Sequence, residues 1–75
     1  MERKKTKNEL LKALSKTIKS KRQKLNLTQE ELAEKSGFHV NYIGGIERAQ
    51  RNPSIDSLVR IARALEISPK DLMSE

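Results

Sequence analysis

Seventy-five residues and a mass of 8.6 kDa hold one domain at most, and a chain of that size buries only about 60% of the surface its unfolded form exposes. Without cysteine there is no disulfide or thiolate chemistry, and the single His39 cannot build a metal site alone, so the sequence argues against an enzyme and requires no cofactor or metal. The net charge of +6 is uneven: residues 1–24 hold ten Lys or Arg against two Glu, a balance of +8, whereas residues 25–75 hold six against eight, a balance of −2. The basic end is a candidate polyanion surface, with a solvated lysine face as the plainer alternative. The first residues lack the apolar core of a secretory signal, and no stretch approaches the roughly 18 apolar residues of a membrane span. A soluble, cytoplasmic protein is expected.

In chain order, residues 1–9 read as a basic arm ahead of a single domain over 10–75. Thr6 with Glu9 makes a capping-box pattern, after which Leu10, Leu11, Leu14, Ile18 and Leu25 recur at helical spacing. After a link at Asn26 and Leu27, Thr28 with Glu31 repeats the pattern, and Leu27 is placed to staple onto Leu32. Ser36 and Gly37 end this second helix, with Phe38 folding back on it. A third helix runs from about His39 to Ala49. "QRNPS" breaks the chain, Ser54 caps a fourth helix with Ile55, Leu58, Val59, Ala62 and Leu65 on one stripe, and Ser68, Pro69 and Asp71 open a short fifth. With no strand-like alternation and no repeat, the fold class is all-α, a compact five-helix domain.

The second and third helices are joined too tightly to lie antiparallel, which makes residues 29–48 a helix-turn-helix candidate. Counting from Gln29, the motif wants apolar residues fourth, tenth, fifteenth and eighteenth, alanine fifth and glycine ninth. Leu32, Phe38, Ile43, Ile46, Ala33 and Gly37 meet all six. In the first helix Arg22 occupies a place on the apolar stripe, and a buried arginine needs a partner. Glu47, beside Ile43 and Ile46, supplies it as a structural ion pair, unless Arg22 snorkels out at the helix end.

The stretch "LTQEELAEKSGFHVNYIGGIERAQRNPSIDSLVRIARAL" resembles the phage-repressor type of helix-turn-helix domain, the xenobiotic-response-element family, over residues 10–74. Within it, "NYIGGIERAQRN" is most similar to the controller proteins of restriction-modification systems. The resemblance implies a five-helix DNA-binding fold, transcriptional control and a homodimer built through the last helices. It also implies a third helix that reads the major groove and an arginine–glutamate brace, in agreement with the pairing argued above. His39 departs from the family's usual Ser, Thr or Asp cap, and the family's frequent arginine is absent at Val40.

The DNA surface is then assigned by reach. Gln29, in the first turn of helix two, should position a phosphate. Asn41 is placed for a bidentate contact to adenine and Val40 for a thymine methyl. Tyr42 should be half core, its hydroxyl turned to a phosphate; Arg48, Arg51 and Asn52 suit backbone contacts, and His39 is a further phosphate candidate. Gly44 and Gly45, each costing on the order of 1 kcal/mol against alanine in a helix, are expected to face outward so that the helix backbone can approach the base pairs. The alternative is a frayed or kinked helix. Ile67, Leu72 and Met73 are candidates for the dimer seam, with Leu72 equally placed to close the monomer's own core. The expected function is a double-stranded-DNA-binding transcriptional regulator, with an antitoxin-type autoregulator that chiefly binds a toxin as the alternative.

Overall fold

Three helices begin on a hydroxyl. In the computed structural model, which describes residues 6–73, Thr6, Thr28 and Ser54 each hold extended backbone. Each accepts the N–H three residues on, at 3.1, 3.0 and 3.1 Å respectively. The elements are α1 (Lys7–Lys24), α2 (Gln29–Ser36), α3 (Val40–Glu47), α4 (Ile55–Ala64) and α5 (Pro69–Met73), with no strand among the described residues. Residues 7–9 of the expected arm therefore belong to α1, and residues 1–5 lie outside the described residues, as do 74 and 75. At Thr28 the box is reciprocal, because its N–H donates to Glu31 Oε1 at 2.9 Å. The N–H and hydroxyl of Thr28 hold the Glu31 carboxyl below the usual carboxylate range.

Four helices stop by one device. The N–H of Leu27, Phe38, Gln50 and Ile67 reaches back five residues to the carbonyls of Arg22, Ala33, Gly45 and Ala62, at 3.1, 2.9, 2.8 and 3.0 Å. Such a stop places the preceding residue in the left-handed region. Only one of the four is the expected glycine, Gly37 at φ 77°; the others are Asn26 at 58°, Ala49 at 58° and Glu66 at 61°. A side chain there is strained, and the carbonyls satisfied by the turn offset that strain.

The core is Ile18, Leu32, Ala33, Ile43, Ile46, Leu58, Ile61, Ala62, Leu65 and Leu72. α1 packs on α3 and α5, α2 on α3 and α4, and α4 on α5. The apolar stripes of α1 and α4 are shorter than their spacing suggests: Leu10, Leu25 and Ile55 are 52%, 39% and 70% exposed. Leu25 and Ile55 lie at helix ends, and Leu10, in the first turn of α1, borders the groove between α1 and α5. On α1 the buried line is Ser15, Ile18 and Arg22, with Ser15 Oγ donating to the Leu11 carbonyl at 2.8 Å.

Candidate nucleic-acid interface

A buried carboxylate organises the surface around α3. Glu47, its side chain 2% exposed, accepts Arg22 Nε at 2.7 Å and Nη2 at 3.0 Å, and the remaining Arg22 nitrogen donates to the Leu27 carbonyl at 2.6 Å. The expected ion pair is therefore present, and it ties the end of α1 and the α1–α2 link to the end of α3. Gln29 joins it. One hydrogen of its Nε2 donates to Glu47 Oε1 at 3.0 Å, so the Gln29 side chain helps brace the pair, while its backbone N–H stands in the first turn of α2 where a phosphate is expected.

The two glycines are covered, contrary to the expectation that they lie bare. A Cβ at Gly44 would stand 3.0 Å from Arg48 Nη1 and 3.5 Å from Gln29 Oε1; a Cβ at Gly45 would stand 2.6 Å from Arg51 Cγ. The space belongs to the protein's own polar side chains. At Gly44 the neighbour is the mobile end of a guanidinium. At Gly45 it is the root of a side chain whose backbone is fixed, since the N–H groups of Gln50 and Arg51 both donate to the Gly45 carbonyl at 2.8 and 3.2 Å. Gly45→Ala should therefore lower stability by about 1 kcal/mol net, and the melting temperature with it: crowding of roughly 1 to 3 kcal/mol outweighs the helix-propensity gain. A thermal melt that rises would show that Arg51 swings aside freely and that Gly45 is bare for another reason.

His39 does cap α3. Its Nδ1 accepts the Asn41 N–H at 3.0 Å, which leaves Nε2 as the ring nitrogen without a part in the cap. Asn41 is exposed, and its carboxamide has no partner among the described residues. Val40 is half-buried against the core, which leaves one edge for contact. The Tyr42 hydroxyl, expected to meet a phosphate, instead donates to Ser57 Oγ at 3.0 Å, and its ring lies 4.9 Å from Phe38. Arg48 and Arg51 are exposed; Arg48 Nε donates to Gln50 Oε1 at 3.0 Å, and the Arg51 guanidinium carbon stands 6.0 Å from the Tyr42 ring. Asn52 is exposed but borders the groove between α1 and α5, apart from the cluster around Asn41.

Residues 18–72 match the helix-turn-helix family. The chain belongs to that family. Over 61 residues it is 43% identical to the control protein C.SmaI of Serratia marcescens, covering 81% of this chain and 73% of that one. It is 46% identical over 50 residues to the control protein C.BamHI of Bacillus amyloliquefaciens, covering 67% and 62%. Among solved structures it is similar to the restriction-modification controller protein C.AhdI of Aeromonas hydrophila, with a TM-score of 0.81 at 39% identity over 83% of this chain and 94% of that one. These likenesses make the chain a DNA-binding regulator of the helix-turn-helix type.

In a helix-turn-helix protein the second helix of the motif enters the major groove with its amino-terminal residues toward the bases. That helix is α3, and the turn delivers His39, Val40 and Asn41 to its leading end. Sequence reasoning missed Ser57, Arg60 and Gln50, which from outside the motif hold Tyr42, the Ser36 and Gly37 carbonyls, and Arg48 respectively: they are ordinary polar residues whose partners lie elsewhere in the chain. The dimer candidates divide. Leu72 is 1% exposed and part of the monomer core, Ile67 is half-buried against it, and Met73 is 59% exposed. Leu72 is thus removed from the seam.

Proposed function

We propose that this chain is a sequence-specific transcriptional regulator of the restriction-modification controller type, acting as a homodimer on paired half-sites in double-stranded DNA. The observation that carries the sequence-reading part is Asn41: an exposed carboxamide, without a partner among the described residues, in the first turn of α3, on a helix braced from behind by a buried ion pair. A carboxamide held there is suited to adenine N6 and N7. The likeness to C.SmaI, C.BamHI and C.AhdI supports the regulated system. Such a protein works beside the chromosome, in the cytoplasm, and no helix among the described residues is long and apolar enough to cross a membrane.

Dimerisation follows from the size of the reading surface. One helix discriminates a few base pairs at roughly 1 to 3 kcal/mol each, too little against the many nonspecific sites, so two copies on half-sites about one turn or a multiple apart are required. Met73, with the open edge of Ile67 and the 52% exposed Leu10 across the same groove, supplies the apolar seam.

Footprinting the purified protein on its own upstream DNA tests the reading: a protected pair of half-sites is expected, and uniform protection overturns it. In the same assay Arg51→Ala should weaken binding to all sequences alike and reduce the slope of log affinity against log salt by about one. An unchanged slope would place Arg51 away from the phosphates.

A further inference from the structure

The α2–α3 turn is held from α4 by one side chain. Arg60 Nε donates to the Ser36 carbonyl at 3.1 Å and Nη2 to the Gly37 carbonyl at 3.0 Å. These are carbonyls at the end of α2, where the helix offers them no donors of its own and where a positive charge meets the negative end of the dipole. The same guanidinium lies over Phe38, its carbon 4.1 Å from the ring centroid. The clearance is close enough to bear on the turn residue: a Cβ at Gly37 would stand 2.6 Å from Arg60 Nη2.

Phe38 passes the contact on. Its ring lies against Tyr42 in the first turn of α3, and Tyr42 is pinned by its hydroxyl to Ser57, three residues before Arg60 on α4. α4 thus grips the motif twice from one face, Arg60 at the turn and Ser57 at the leading end of α3. α4 packs chiefly on α2 and α5, and beyond the core that Leu58 and Ile61 share with Ile43 and Ile46 these polar side chains fix its hold on α3.

We infer that Arg60 is a positioning residue for base reading: it sets the angle at which α3 leaves the turn, and so the place of Asn41, without touching DNA itself. This rests on the proposal that α3 reads sequence. A bidentate contact tolerates little displacement, because hydrogen bonds weaken outside about 2.7–3.2 Å. Phosphate contacts from long, flexible arginines follow a shifted helix. Loosening the turn should therefore remove sequence discrimination while leaving nonspecific affinity and its salt dependence in place. Lysine keeps the charge at 60 but offers no planar fork to bridge two carbonyls while stacking on a ring.

The experiment measures binding of the full chain to a duplex selected by the parent protein from a randomised pool and, separately, to the unselected pool, across a salt series. Arg60→Lys and Arg60→Met are compared at a temperature where melts show each folded; if Arg60→Met does not fold, Arg60→Lys decides. The expected result for Arg60→Lys is at least about a tenfold fall in the ratio of selected to pool affinity, with the salt slope unchanged. Arg60→Met should fall at least as far. A ratio unchanged in both variants overturns the proposal, whatever happens to the melting temperature. A slope reduced by about one in Arg60→Met with the ratio intact also overturns it, by making Arg60 a phosphate contact. If the parent protein enriches no sequence, base reading by α3 fails first and the role of Arg60 falls with it.

Discussion

Replacing Arg22 with alanine is expected to destabilise the free protein by about 3–5 kcal/mol, which rivals the whole stability of a domain this small. The Glu47 side chain is 2% exposed and its carboxylate is held by Arg22 and the Gln29 amide. Without Arg22 a buried charge keeps one neutral donor, and the Leu27 carbonyl loses the Arg22 donor that links it to α3. Glu47→Ala should be milder. Arg22 stands in the last turn of α1 with 11% of its side chain exposed, keeps its bond to Leu27 and can turn its head to water. A double replacement by methionine at 22 and leucine at 47 should recover most of the loss, since filling such a site with apolar side chains is often neutral or better. Urea melts of the four proteins decide. An Arg22→Ala protein within about 1 kcal/mol of the parent, or a double variant no better than the single, would mean that the pair does not hold α1 to α3.

That brace was legible in the sequence because its signal is local: a charge in phase with an apolar stripe. The caps at Thr6, Thr28 and Ser54, the turn at Gly37 and the six spaced positions of the motif are legible for the same reason, each being a residue type with one good use at its place. The left-handed stops at Asn26, Ala49 and Glu66 were not, because nothing but the closing bonds five residues back asks for that conformation there. The glycines show the limit most plainly. Their spacing predicts that side chains are missing on the side of α3 away from Ile43. It does not say what fills the gap, which depends on how residues 49–51 return over Gly45.

Polar residues with distant partners are the least legible. The Gln29 side chain and the Tyr42 hydroxyl border the side proposed to face DNA, and reach alone sends the Tyr42 hydroxyl to a phosphate. Their hydrogen bonds go instead to Glu47, 18 residues on, and Ser57, 15 residues on. An assignment by reach alone supplies an external partner wherever the internal one is remote in sequence. The correction makes the surface more selective. With the Gln29 side chain, Tyr42 and the glycines engaged by the scaffold, the proposed base reading narrows to the leading end of α3, where Asn41 stands exposed and the open edge of Val40 lies beside it.

Asn41→Ala should accordingly cost little in stability and much in recognition. Its carboxamide has no partner among the described residues, and alanine favours the helix by up to about 0.7 kcal/mol, so the melting temperature should hold or rise slightly. The N–H that His39 accepts is backbone and survives the change. A bidentate contact to a base is worth about 1–3 kcal/mol, and a homodimer makes two of them, so affinity for the two-half-site target should fall by about 2–6 kcal/mol, at least about thirtyfold. Affinity for unselected DNA should stay within about twofold, since it rests on phosphates. Base changes in the target complete the test. Altering the contacted pair in one half-site should cost the parent about half of what altering both costs, whereas the Asn41→Ala protein should be indifferent to either change. A variant that still distinguishes the bases at that position would take the reading role away from Asn41, and a parent that responds to one half-site only would take away the dimer.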